Sequence, residues 1–235
     1  MKIVTWNCQQ AFARKAERIF SGAPDIAVIQ ECSKQSTEML GFDGYSGLWA
    51  GENLNKGVGV FCKAGWSLRA LGRRKRLDGV RWVVPFEVDG PVSFTLIAVW
   101  ACTAKIRRES YVGQIHKALR DSPEWFRGAP IVMAGDFNSS AIFDRNRPVW
   151  NHSSMVGKLK RRGMVSAYHA HRGEEHGVET TPTFHLYRRA EERYRYHFDY
   201  IFLPEAWRIE AMSVGQYCEW GSESDHFPLM VEVAA

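Results

Sequence analysis

The sequence predicts a layered α/β protein with mixed sheets, on three observations. Short runs rich in Val and Ile recur from one end of the chain to the other. Two stretches repeat apolar residues at helical spacing. Some strand runs are parted only by a turn-forming break, as hairpins require, while others are parted by a helical stretch, as crossovers require.

Each element follows in order. Lys2–Asn7 and residues 26–31 are the first two strand runs. Between them Phe12, Ala16, Ile19 and Phe20 share one helical face. Strand runs 57–63, 81–88 and 92–100 come next, with breaks at Asp78-Gly79 and at Asp89-Gly90-Pro91. The second break lies between two strand runs and reads as a hairpin. Gly57-Val58-Gly59 lies within a strand, so it reads as close packing or a bulge rather than a phosphate loop. Tyr111, Ile115, Ala118 and Leu119 form a second helical face, which places Tyr111 in the core rather than at a reacting centre. A strand over 131–134 and a third helix over 147–162 follow, and strands over 197–203, 207–214 and 228–233 complete the set.

The 235 residues hold no Pro/Ser linker, low-complexity tract or repeat, which predicts a single domain spanning 1–235. No apolar run approaches the ~18–20 residues that cross a bilayer. The start, Met1 to Asn7, turns polar too early for a secretion signal. A soluble, cytoplasmic protein is expected. The five cysteines are odd in number, scattered and free of CxxC pairs, which favours reduced thiols over a disulfide framework or a structural zinc site. A net charge of +5 favours polyanionic partners without singling out nucleic acid. No long hydrophobic surface helix calls for an obligate protein partner.

Five segments set polar residues at strand ends: Trp6-Asn7, Gln30-Glu31, Gly135-Asp136-Phe137-Asn138, His197-Phe198-Asp199-Tyr200 and Ser224-Asp225-His226. Strand ends are where a sheet presents side chains to a common cleft. In extended chain, Asp136 points with Asn138 and His197 with Asp199. Glu31, Asp136, Asp199 and Asp225 offer hard oxygens, with Asn7 and Asn138 as amides beside them. That set suits Mg²⁺, with Mn²⁺ as the alternative, and a cation offsets negative charge on a reacting phosphate. His226 can carry a proton near neutral pH or bind phosphate, and Asp199 can hold its other ring nitrogen.

The order of these motifs resembles the endonuclease/exonuclease/phosphatase superfamily, from Asn7 to His226 and so over nearly the whole chain. The resemblance implies a four-layer α/β/β/α sandwich, two packed mixed β-sheets with helices outside. It implies Glu31 as the main metal ligand with Asn7 beside it and Asp225 supporting the metal region. Asp136 would orient or deprotonate the attacking water, and Asn138 would bind the scissile phosphate. His226, oriented by Asp199, would stabilise the phosphate or act as the base. Two positions depart from the pattern. Trp100 stands where such proteins often carry Tyr or His, and His197 where many carry Arg. His197 is expected to reach the phosphate from the Asp199 face, and Asn7 to lie near the phosphate as well.

His169, His171 and His176, with Glu174 and Glu175, read as a polar loop rather than a metal site, running into a Thr-rich segment that brings Thr183 near the cleft. Basic runs at 73–76, 158–162 and 188–195 are solvated surface taken singly. The last interleaves with Tyr187, Tyr194 and Tyr196, which suits phosphate contact and base stacking. The function expected is a Mg²⁺-dependent phosphodiesterase on nucleic acid. A phosphatase or phosphodiesterase on a small or lipid-linked phosphate is the rival, and a non-catalytic binding module the third reading.

Overall fold

A computed structural model describes residues 1–38, 44–72, 80 and 82–235. The chain opens with β1 (Lys2–Asn7), helix α1 (Phe12–Phe20), β2 (Ile26–Cys32) and α2 (Lys34–Glu38). β3 (Tyr45–Asn53), β4 (Lys56–Lys63) and β5 (Ser67–Ala70) follow. β6 (Val83–Asp89) and β7 (Phe94–Trp100) form the hairpin expected at Asp89-Gly90-Pro91. Next come α3 (Val112–Asp121), β8 (Ile131–Asp136), α4 (His152–Lys160), β9 (Met164–Ser166) and α5 (Ala167–Arg172). A small ladder of β10 (Phe184–His185) and β11 (Arg195–Tyr196) precedes β12 (Asp199–Pro204), β13 (Arg208–Val214), α6 (Tyr217–Trp220) and β14 (Leu229–Ala234).

Two six-stranded mixed sheets result, ordered β13-β14-β1-β2-β4-β3 and β5-β6-β7-β8-β12-β9. At the centre of each lies a parallel pair linked through a helix, β1–α1–β2 and β7–α3–β8, with antiparallel strands outside it.

Alternation along the central strands makes the layers. Ile3, Val28, Val60 and Val231 meet Val84, Leu96, Val132 and Ile201 in one apolar layer between the sheets. Their strand neighbours Val4, Ala27 and Ile29 turn the other way, onto Phe12, Ala16 and Ile19 of α1. Ile97, Val99, Met133 and Phe202 likewise turn out onto Ile115 and Leu119 of α3 and Met155 and Leu159 of α4. Strands apolar on both faces must be covered on both faces, and the expected α/β/β/α sandwich is the outcome. Each fully buried side chain of this size contributes roughly 1.5–3 kcal/mol, so these layers dominate the choice of fold.

Three differences from the sequence reading have physical causes. The third helix begins at His152, not 147, because Asn151 accepts from the Ser154 amide at 2.9 Å and the Asp144 carboxylate takes the His152 and Ser153 amides. β3, β5 and β9 carry no strong strand pattern, and all three pair at or beside a sheet margin. Tyr111 lies ahead of α3 with φ 54 and ψ −128 and is 40% exposed, so the helical spacing that placed it in the core breaks at its first member. The basic run 73–76, the Asp78-Gly79 break and Arg81 lie outside the described residues.

Gly135 sets how β8 meets β7. Its φ is +150, and a Cβ there would stand 1.8 Å from the Val99 carbonyl oxygen, in the partner strand's backbone. Gly135→Ala is expected to lower unfolding free energy by on the order of 3 kcal/mol, read by denaturant titration. Gly72→Ala, with nothing among the described residues within 4 Å of the added Cβ, is expected to stay within about 0.5 kcal/mol of the parent.

Candidate active site

The two sheets end together, and the polar strand ends meet there. β8 closes on Asp136, β12 opens on Asp199, and the two residues are direct partners in the antiparallel ladder. β1 closes on Asn7, and Glu31 sits one residue beyond its parallel partner Gln30 in β2. His226 arrives on the segment before β14, bridged to Phe184.

Distances tie the group together. His226 Nδ1 lies 2.9 Å from Asp199 Oδ2, and its Nε2 lies 3.9 Å from Asp136 Oδ2. Asn7 Nδ2 donates to Asp136 Oδ2 at 3.1 Å and to Glu31 Oε1 at 3.4 Å. Asn138 donates its backbone N–H to Asp136 Oδ1 at 2.8 Å and its amide to Asp136 Oδ2 at 2.9 Å and the Ala101 carbonyl at 3.0 Å. Asp136, Asp199 and His226 can offer metal-binding atoms within 4.8 Å of one another.

Supporting residues fix these positions. Thr183 Oγ1 accepts the amides of Phe198 and Asp199, so it does border the site. Ser224 Oγ donates to the Asn7 carbonyl at 2.7 Å and accepts the His226 amide at 3.1 Å. The Trp6 indole donates to the His226 carbonyl at 3.0 Å. Glu31 departs from strand geometry altogether. Its φ is +61, at a register shift between Gln30 and Cys32 against β4, and this bulge turns its carboxylate out of the strand's alternation. Asn138, at φ +45, is a second left-handed non-glycine residue in the site. Such conformations cost about 1 kcal/mol or more each and persist where surrounding contacts over-determine them.

Burial shapes the electrostatics. Asp136 is fully buried, and desolvation raises its pKa, with the Asp199 charge adding to the rise. For His226 burial disfavours charge, but Asp199 and Asp136 outweigh it and raise the pKa. Asp225 lies beside the group, with its pKa raised by burial and further by Glu31. Asp199 Oδ1 is buried without a partner.

His197 is not brought into this group. Its Nδ1 lies 2.8 Å from the Thr181 carbonyl, and its ring packs 4.3 Å from that of Tyr168 and 5.0 Å from that of Tyr200. β12 begins only at Asp199, so the extended alternation expected to align His197 with Asp199 is absent. Lys56 is a site residue that sequence reasoning missed. Its ammonium lies 3.0 Å from Glu31 Oε2 and 5.1 Å from the centre of the Trp100 ring. No motif marks a lysine at the start of β4. Trp100 pairs with Asp136 in the β7–β8 ladder and packs 5.5 Å from Trp82.

A cavity of about 850 Å³ adjoins Asn138. Arg107, Arg108 and Arg147 line it with Tyr111, Phe143 and Phe198. His169 and His171 lie on α5 rather than in a loop, and His169 and His176 gather with Glu179, rather than with Glu174 or Glu175, to within 4.8 Å of one another.

No family model and no curated protein matches the sequence. Solved structures do. The chain is similar to the 3′ phosphatase NExo from Neisseria, bound to product DNA hairpin, over 100% of both chains at 18% identity and a TM-score of 0.73. It is similar to a humanized D. rerio TDP2 over 100% of this chain and 99% of that one, at 16% identity and 0.67. It is similar to the AP endonuclease LMAP from Leishmania major over 98% and 86%, at 15% identity and 0.69. The fold is therefore the sandwich of the endonuclease/exonuclease/phosphatase structures.

The raised pKa of His226 has a measurable sign. Folding favours its charged ring, so the stabilisation it brings is complete below the ordinary imidazole value of about 6.5 and is lost as pH rises through the folded value. Ring-nitrogen NMR of the metal-free protein is expected to place the His226 midpoint above the ordinary value. In Asp199→Asn the midpoint is expected to fall, because burial then acts with less counter-charge. An unchanged midpoint in that variant would show that Asp199 does not hold the proton.

Proposed function

We propose that the chain is a metal-dependent phosphoesterase of the endonuclease/exonuclease/phosphatase superfamily, hydrolysing phosphate ester bonds in nucleic acid by in-line attack of water. The observation that carries this reading is the meeting of Asn7, Glu31, Asp136, Asn138, Asp199 and His226 at one end of two stacked sheets. The same reading takes residues 1–235 as one domain, with the cytoplasm as its compartment.

The donor set fits Mg²⁺ or Mn²⁺. Glu31 is 16% exposed, and its carboxylate already draws a cation, the Lys56 ammonium. Asn7 stands beside it, and Asp225 adds negative field. Asn7 Oδ1 accepts the Gln9 amide at 3.1 Å, and its second lone pair remains for a cation. A bound cation would polarise the phosphate and offset the charge that builds on it.

The protein's own residues do the rest. Asp136, its pKa raised by burial, is suited to orient the attacking water or take its proton near neutral pH. Asn138 lines the cavity where the scissile phosphate would sit, and its amide would exchange its bond to Ala101 or Asp136 for one to the phosphate. His226, held charged by Asp199, is suited to stabilise phosphate oxygens or to exchange a proton at Nε2. His197 has no part in this assignment. Trp100 can donate one hydrogen bond and cannot shuttle a proton, so it acts as a wall for Lys56.

Nucleic acid is favoured by the cavity's three arginines beside aromatic rings, a pairing that serves phosphates and stacked bases. NExo, a 3′ phosphatase of the same fold, is solved on a DNA hairpin. The cavity's size also suits a small phosphate ester, which is the rival reading.

Chelator-stripped protein is expected to be inactive, and Mg²⁺ or Mn²⁺ to restore it. Abasic duplex, single-stranded DNA, RNA, 3′-phosphorylated DNA and inositol phosphates separate the substrate classes. Turnover of inositol phosphates alone would eliminate the nucleic-acid reading, and activity indifferent to chelation would eliminate the metal. Glu31→Gln, Asp136→Asn and His226→Ala are each expected to lower kcat by about 10²–10⁴-fold with circular dichroism unchanged.

A further inference from the structure

A second cluster of ligating side chains stands behind the active site. Helix α5 ends at Gly173, whose φ of +70 turns the chain sharply, and the following segment returns His176 and Glu179 to His169 on α5. The three offer ligand atoms within 4.8 Å of one another.

The hydrogen bonds are arranged as those around a metal-bound histidine are, with one ring nitrogen held by a partner outside the cluster and the other left to the cluster. His169 Nδ1 lies 2.8 Å from Ser166 Oγ, which leaves Nε2 facing Glu179 Oε1 at 3.2 Å. His176 Nδ1 lies 3.0 Å from His152 Nε2, and His152 Nδ1 lies 3.2 Å from Ser139 Oγ. That relay leaves His176 Nε2 available. His197, whose ring centre is 6.0 Å from that of His169, has a buried Nε2 with no hydrogen-bond partner among the described residues.

Burial sets the cluster apart from a polar surface loop. The Glu179 side chain is only 5% exposed, and among the described residues no Lys or Arg pairs with it. A buried carboxylate and two imidazoles whose ligand atoms lie within 4.8 Å of one another are a donor set for a divalent cation.

We propose that His169, His176 and Glu179 bind a divalent transition-metal ion of the Zn²⁺ class, with His197 Nε2 or a water in the fourth position. The ion takes the place of the proton between His169 and Glu179. It also splays the His169 and His176 rings, now stacked at 3.5 Å with 18° between their planes. With His197 as the fourth ligand it ties the segment after α5 to the entry of β12, two residues from Asp199, and so braces the active site from behind without touching substrate. Imidazole nitrogens and a single carboxylate select Zn²⁺ over the Mg²⁺ that an all-oxygen site prefers.

The test is metal content of the full chain, stripped by chelator, loaded with Zn²⁺ in excess Mg²⁺ and passed through gel filtration. About one Zn²⁺ per chain is expected in the parent protein and in Glu31→Gln. In Glu179→Gln and His176→Ala the affinity is expected to fall by at least about 10–100-fold. Co²⁺ in place of Zn²⁺ is expected to give the intense visible bands of a four-coordinate, nitrogen-bearing site, lost in the same variants. Zn²⁺ is expected to raise Tm in the parent and not in the near-isosteric Glu179→Gln, which serves if His176→Ala does not fold. A parent protein that retains no Zn²⁺ overturns the proposal. So does Zn²⁺ lost from Glu31→Gln but kept by Glu179→Gln, which would place the ion at the catalytic end.

Discussion

Two aspartates face each other across one rung of an antiparallel ladder, both shut off from solvent, with an imidazole against them. Burying one carboxylate costs several kcal/mol unless it is paired and hydrogen-bonded, and burying two side by side adds their repulsion. Much of the surrounding structure answers that cost. Asn7 and Asn138 put three N–H donors on Asp136, Thr183 takes up the Asp199 amide, and His226 brings a positive charge that both aspartates favour. Ser224 and Trp6 then hold His226 in place from the first sheet.

This constraint links the sheets. Asp136 and Asp199 belong to one sheet, whereas Asn7 and the β14 segment that delivers His226 belong to the other. The apolar layer between the sheets sets the distance at which the polar ends meet. A shift of one residue in the β8–β12 register would send one aspartate to the opposite face, so register, core packing and site geometry are one condition. Gly135 enters here: only a residue without Cβ lets β8 lie against β7 immediately before Asp136.

What the sequence made legible follows the strength of the burial signal. Central strands such as Lys2–Asn7 and the run at 131–134 are covered on both faces, so they read as continuous apolar runs and were found. β3, with Gly, Ser and Glu among its residues, has only one sheet neighbour and left no such pattern. The residues that converge at the strand ends were legible because each ends an apolar run. His197 was misplaced because its position relied on an alternation that starts two residues later. Lys56 and Glu179 were invisible for a common reason. Each matters through a partner remote in sequence, Glu31 for one and His169 for the other, and the contact exists only once the chain has folded.

Lys56 and Glu31 also show how the fold divides its strain from its function. Glu31 sits in a left-handed conformation at a bulge, an expense no local contact demands of a strand-end glutamate. In the regular alternation of β2 its carboxylate would share a face with Ile29, which is packed under α1. The bulge is what brings it to Asn7 and to the Lys56 ammonium. Lys56 lies over Trp100, an apolar wall, and among the described residues its ion-pair partner is the Glu31 carboxylate. A carboxylate that keeps a lysine when alone, and is part exposed, can exchange it for a cation with little desolvation still to overcome. The strained backbone of Glu31 is therefore better explained by what its side chain must reach than by anything the strand gains from it.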